Sequence, residues 1–315
     1  MLLIMIVSGC KDAPKPLVAP TLNTLNLSDI ALTTAEGGGA ILSNGGSTVT
    51  EKGVCWSLDE TPTKDDAKTT DGSGDGDFQS TLIGLTPNTT YHVRAYATNS
   101  VGTSYGSDMT FMTYGIEDIN GSRYHYVTIG TQDWMQENLR VKKYNDGSDI
   151  PEVTDVSSWV GLSTGAYCGY ENDLAKVGTY GRLYNWYAVA DGRKLCPVGW
   201  HVPAMAEWST LFNQLGGPTL AGGPMKTIGS IQDSNGLWYS PNVGATNASG
   251  FSALPAGDRG DAGQFENING IGNWWSSEGF TGYGYFVLVV DHQPVAESTL
   301  NYAANGKSVR CVRDP

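Results

Sequence analysis

The chain has 315 residues, enough for about two domains of ~100–200 residues each. Apolar residues make up 40% and charged residues only 16%, with 41 Gly, 16 Tyr and 9 Trp; this excludes a disordered chain and a charged helical bundle, and suits strand- and loop-rich globular structure. The net charge of −13 is spread over both halves and no run of Lys or Arg occurs, which excludes nucleic acid as a partner.

At the amino terminus the apolar run Leu2–Val7 is followed by Ser8-Gly9-Cys10. Small residues before a cysteine, directly after an apolar stretch, resemble a lipobox, where signal peptidase cuts once the thiol has been acylated. Residues 1–9 are expected to be a lipoprotein signal segment. It is shorter than the usual ~15–30 residues and has no basic start, so translation is expected to begin further upstream. Cys10 is the expected lipidation site, and residues 10–19, rich in Pro, are the expected tether. The implied partner is a lipid bilayer, held through acyl chains at ~0.8 kcal/mol per buried methylene. Lys11-Asp12 resembles the short charged signals that direct such lipoproteins outward in the Bacteroidetes. The expected location is the bacterial outer membrane, lipid-anchored and facing the exterior.

Residues 20–113 show short alternating segments between Gly, Asn and Asp turns, the pattern of an all-β sandwich. The clearest strand is Tyr91–Thr98, where Tyr91, Val93, Ala95 and Ala97 alternate with mostly polar residues. Gly84-Leu85-Thr86-Pro87 leads into Tyr91, which predicts a tyrosine corner. With Gly53–Ser57 as a central strand, the segment resembles a fibronectin type III domain, which implies a spacer or interaction module. Cys55 is expected in its core. Asp71, Asp75 and Asp77 lie in a Gly-rich loop without the spacing of a calcium loop, and are expected to be turn residues.

Residues 114–122 read as a linker to a second domain over 123–315. Tyr124–Ile129 and Gln132–Met135, around Gly130-Thr131, predict a hairpin. Trp208, Leu211, Phe212 and Leu215 share one face of a helix predicted over Ala204–Leu215, with Pro203 before it and Gly216-Gly217 after. Glu207 in its first turn is expected to be structural. An ordered series of motifs runs through Trp134–Leu139, Tyr180–Trp186, Pro197–Pro203, Ala206–Trp208, Gly250–Gly257, Trp275–Glu278 and Val309–Asp314. Together they resemble the Fibrobacter succinogenes major paralogous domain family. The resemblance implies an α+β C-type lectin-like fold: a small antiparallel sheet, helices near Tyr180–Val189 and Ala204–Leu215, and long loops from Gly216 to about Asn273.

Of the remaining cysteines, Cys196 and Cys311 are the favoured disulfide, with Cys168–Cys311 as the alternative. The four His are scattered without metal-ligand spacing, and His201 is expected to be a hydrogen-bonded structural residue. No GxSxG, P-loop, CxxC or dinucleotide fingerprint occurs. Nor does the Trp-Asn-Asp of calcium-dependent lectins. No cofactor, metal or catalytic residue is expected. Trp274, Trp275, Glu278 and Tyr283, with Asp258 and Arg259 before them, are the expected ligand-binding residues: an aromatic platform with polar edges. The expected function is that of a surface-exposed, lipid-anchored binding or adhesion protein whose lectin-like module recognises a glycan or a protein. The alternatives are a structural envelope lipoprotein without a diffusible ligand, and a surface enzyme acting on polysaccharide.

Overall fold

A computed structural model describes residues 15–315, which divide into two compact units between Thr113 and Tyr114. The signal segment 1–9, Cys10 and the first part of the tether lie outside the described residues.

The first unit contains β1 (Thr21–Thr24), β2 (Thr34–Ser43), β3 (Glu51–Ser57), β4 (Ala67–Lys68), β5 (Phe78–Ile83), β6 (Thr90–Thr98), β7 (Thr103–Tyr105) and β8 (Met109–Met112). They form two sheets, ordered β1-β2-β5 and β4-β3-β6-β7, with β8 also pairing β6. The alternation of β6 makes the sandwich. Tyr91, Val93, Ala95 and Ala97 are buried with Val54, Phe78 and Leu82 between the sheets. The Tyr91 hydroxyl accepts the Thr86 backbone N–H at 3.0 Å, so the tyrosine corner is present. Cys55 is buried in this unit, and burial pushes its thiol up to about 11. The carboxylate of Asp71 accepts from Ser80 and Thr69, and Asp75 from Asn44, so both tie turns. The sandwich begins before Pro20: Val18 donates to the Gly45 carbonyl at 3.0 Å, although residues up to 19 were expected in the tether.

Residues 114–122, expected as a linker, belong instead to the second unit. β9 (Ile116–Glu117) pairs with β10 (Arg123–Tyr124), and Ile116 is buried. Asp118 holds the turn between them by accepting the Asn120 and Ser122 N–H groups and the Tyr124 hydroxyl. The predicted hairpin follows as β11 (Tyr126–Ile129) and β12 (Gln132–Met135). Next come α1 (Val156–Trp159), β13 (Tyr167–Cys168), α2 (Leu174–Tyr180), β14 (Leu183–Asn185), α3 (Trp186–Val189), β15 (Trp200–His201), α4 (Met205–Gln214) and α5 (Pro218–Met225). The unit ends with β16 (Ala256–Arg259), β17 (Phe265–Ile268), β18 (Ile271–Phe280), β19 (Tyr283–Val290), β20 (Ala296–Tyr302), β21 (Gly306–Lys307) and β22 (Val312–Arg313).

Three larger sheets result, ordered β11-β12-β22-β15, β13-β14-β21-β16-β17 and β18-β19-β20. The last strand, β22, lies between β12 and β15, so the chain's end completes a sheet begun near the unit's start. The Cys196–Cys311 disulfide ties the same region across 115 residues, as favoured over the Cys168 pairing. Cys168 is a free, buried thiol. Helix α4 buries Trp208, Leu211 and Phe212, and Glu207 caps it by accepting the Ala204 N–H at 2.9 Å.

Two expectations are corrected. The stretch Tyr180–Val189 is not one helix: α2 stops at Gly181 (φ +80°), whose missing side chain lets Asn138 pack against it, and Asn185 caps a separate α3. Residues 216–273 are not loop throughout, since α5, β16, β17 and the start of β18 lie there. In α5, Gly222 and Gly223 pack backbone against backbone with Val295 and Gly244, which leaves no helical periodicity to read.

The irregular parts of this unit are held by buried cations. Lys226 Nζ donates to the carbonyls of Val243, Val290 and Gln293 at 2.9, 2.7 and 3.1 Å. Arg310 donates to the carbonyls of Met135 and Phe251 and to Asn138. Carbonyls that no ladder satisfies would otherwise be left unpaired in the interior.

Candidate functional site

Strands β18, β19 and β20 run on beyond the core. Their last register pairs, Phe280 with Tyr283 and Tyr283 with Tyr302, place three rings side by side across the sheet. The ring centres are 5.4 and 5.1 Å apart, and successive planes tilt by 34° and 31°. Phe280, Tyr283 and Tyr302 are 51%, 36% and 51% exposed. Leu300, also exposed and opposite Tyr285, extends the same face.

The other face of this end is filled. Gly279 and Gly284 pair across β18 and β19, and a side chain on either would run into the Trp186 indole. Trp186 donates to the Ser276 carbonyl at 3.1 Å, so the indole is pinned behind the aromatic row. A register shift between Trp275 and Gly279 separates the buried part of β18 from this exposed part. The charge of the neighbouring Tyr302 phenol, and after it hydrogen bonding, raises the Tyr283 phenol above its ordinary value. The row thus presents apolar ring surface together with the hydroxyls of Tyr283 and Tyr302.

The expected platform is only partly realised. Trp274 and Trp275 are fully buried, which corrects their assignment as ligand-binding residues. As neighbours on a strand they face opposite ways, and each meets its own core: Trp274 packs with Val287 and Val289, Trp275 with Phe286. Their indole N–H groups are also spent, on Asn138 and on the Tyr184 carbonyl, at 2.7 Å each. Asp258 and Arg259 are buried as well, which corrects their assignment as polar edges. Arg259 donates to the carbonyls of Gly263, Val153 and Thr154 and lies over the Trp159 ring, while Asp258 pairs with Lys307. Glu278 and Tyr283 are exposed, and Tyr283 is the central ring of the row.

Phe280, Leu300 and Tyr302 were not anticipated. A signal for two of them exists in the sequence: Ala296, Ser298, Leu300 and Tyr302 alternate along β20, with Ala296 buried at one end and the other two apolar residues exposed at the far end.

A small cavity of about 220 Å³ touches β18 at Ser277. Val189, Leu195, Trp200 and Val202 line its apolar walls, with Asp191 and His201 as polar members. His201 bonds Asp314 at 2.7 Å through Nδ1 and Glu207 at 2.9 Å through Nε2, the structural role expected of it. Burial works to lower its pKa, but the hydrogen bonds to Glu207 and Asp314 outweigh burial and raise it. Both carboxylates are therefore engaged by the imidazole rather than open to a ligand.

A two-sheet sandwich, followed by a disulfide-closed unit of three sheets and short helices with one exposed aromatic row, defines a modular β-rich protein. The Fibrobacter succinogenes major domain matches residues 127–313, more than half of the chain, and the chain belongs to that family. No curated protein matches the chain. Solved structures similar to part of it include the sensor domain of the anti-sigma factor RsgI4 of Pseudobacteroides cellulosolvens, at 20% identity and a TM-score of 0.24, covering 32% of this chain and 100% of that one. A human fibronectin type III domain, from the KIAA0970 protein, is 17% identical with a TM-score of 0.24, covering 32% of this chain and 79% of that one. A crystal structure of titin domains is 21% identical with a TM-score of 0.23, covering 31% of this chain and 32% of that one.

Proposed function

We propose that this protein is an envelope lipoprotein whose second unit binds a glycan on the row formed by Phe280, Tyr283 and Tyr302, and that it acts by binding rather than catalysis. The observation that carries this reading is the selective exposure of these rings. The same unit buries Trp134, Trp159, Trp208, Trp238, Trp274 and Trp275 completely, so its core has no shortage of room for aromatic groups. Full burial of a large apolar side chain contributes about 1.5–3 kcal/mol, and these rings, a third to a half exposed, forgo part of it. Three such rings held in contact are an unfavourable surface unless something covers them. Aromatic faces take up the C–H faces of sugar rings, and the Tyr283 and Tyr302 hydroxyls, with Glu278 nearby in β18, supply polar groups to orient one.

The second unit is read as a C-type lectin-like scaffold, and the first as a fibronectin type III-like spacer that carries it away from the bilayer. Anchoring rests on the lipobox ending at Cys10 and on the display signal Lys11-Asp12. Cys10→Ala should abolish incorporation of labelled fatty acid; a variant that still takes up label and fractionates with membranes contradicts the anchoring.

A glycan array with the purified protein, followed by calorimetry on the best ligand, tests the site. Tyr283→Ala and Tyr302→Ala should each weaken binding by about 1 kcal/mol or more, as truncation of an aromatic contact does. Their exposure means that thermal unfolding should stay near wild type. Absence of glycan binding, or unchanged affinity in both variants, refutes the reading.

A further inference from the structure

The interior of the second unit brings an amine and a carboxyl group together in apolar surroundings. Lys307 lies on β21 and Asp258 on β16, strands paired antiparallel at Gly306 and Arg259, so the two side chains stand opposite each other. Lys307 Nζ is 3.0 Å from Asp258 Oδ2, and the side chains are only 1% and 12% exposed. The amine sits 4.0 Å from the centre of the Phe286 ring and 5.6 Å from that of Trp275. The other carboxyl oxygen, Oδ1, accepts the Asn267 amide at 2.9 Å. Burial lowers the Lys307 pKa despite the opposing pull of Asp258 and Glu266, and a desolvated amine is a nucleophile.

We propose that Lys307 and Asp258 condense into an intramolecular amide, an isopeptide cross-link between β21 and β16. A proton first passes along the hydrogen bond from the ammonium to Oδ2, giving a neutral amine beside a carboxylic acid. The amine lone pair then attacks Cγ, and the C–N bond forms as the carbonyl electron pair moves onto Oδ1. The Asn267 N–H already points at that oxygen and stabilises the charge developing there. When the carbonyl re-forms, the bond from Cγ to Oδ2 breaks. Oδ2 leaves as water with its own proton and one passed to it from nitrogen, along the contact the two atoms already share. One water is lost and no oxidant is needed.

Two physical effects favour the step. The reacting groups are held at contact by paired strands, which removes the entropic cost of bringing them together. The product also replaces a buried ion pair, whose charges are costly to desolvate, with a neutral amide. The closed segment spans 49 residues and includes β17 to β20, so the bond would fasten the strands that carry the aromatic row, independently of the disulfide.

Mass spectrometry on the full chain tests this. After incubation in the folded state, reduction and proteolysis, the peptides containing Asp258 and Lys307 should be found joined, one water lighter than their sum. Fragmentation should locate the bond at those two side chains. Asp258→Ala should yield only separate peptides. Separate peptides from folded, incubated wild type overturn the proposal, with no dependence on any variant's folding. Loss of water as a cyclic imide at Asp258, without joining to Lys307, overturns it equally.

Discussion

Replacing Lys226 by Met should make the stability difference between wild type and variant grow as pH rises. Lys226 is fully buried, and its three hydrogen bonds go to neutral carbonyls. Burial therefore dominates and pushes its amine down to about 8, against a weaker opposing pull from Asp291. In the unfolded chain the amine titrates near about 10.4. Between these values the unfolded state binds more protons than the folded state, so this group adds stability as pH rises. From about pH 7 to about pH 9.5 the linkage integral amounts to about 2 kcal/mol. Met keeps the apolar stem beside Trp238 but cannot titrate, so the variant lacks this increment. Urea unfolding followed by tryptophan fluorescence at the two pH values, on both proteins, isolates the increment, because other titrating groups cancel in the difference. A difference that stays flat or shrinks with pH refutes the argument, since Lys226 would then titrate in the folded state much as it does in the unfolded chain.

The His201 bridge has the opposite sign. Its raised folded pKa means that its contribution is fully present below the ordinary histidine value of about 6.5 and is lost as pH rises through the folded value. Thermal unfolding should show wild type ahead of His201→Ala by a larger margin at about pH 5.5 than at about pH 9. An equal margin at both would mean that the folded imidazole titrates as it does in the unfolded chain, and a smaller margin at about pH 5.5 that it is held neutral between Glu207 and Asp314.

These titrations belong to an unusual interior. Only 16% of the chain is charged, yet Lys226, Arg259, Lys307 and Arg310 are all buried in the second unit. Three of them are spent on backbone carbonyls in irregular segments or at the last residues of strands, and the fourth faces Asp258. In a unit with short helices and several two-residue strands, long cations do work that hydrogen-bond ladders do elsewhere.

Local pattern was sufficient where an element buries one face. The alternation of Tyr91, Val93, Ala95 and Ala97 marked β6, the spacing of Trp208, Leu211 and Phe212 marked α4, and the turn at Gly130 marked the β11–β12 hairpin. The pairing of Cys196 with Cys311 was favoured from sequence as well. What the tertiary structure decided concerns residues whose surroundings come from distant segments. Trp274 and Trp275 read as surface aromatics in a Gly-rich stretch, but the sheet that carries them is covered on both faces, so alternation has no wet side to report. Asp258 and Arg259 read as polar edges because a charge in sequence carries no mark of the partner that allows its burial; Lys307 and the carbonyls of Val153 and Thr154 lie far along the chain. The same holds in reverse for the aromatic row. Tyr283 was visible alone, whereas its neighbours Phe280 and Tyr302 became a surface only when strand register set them beside it, because register is a relation between strands and not a property of any one of them.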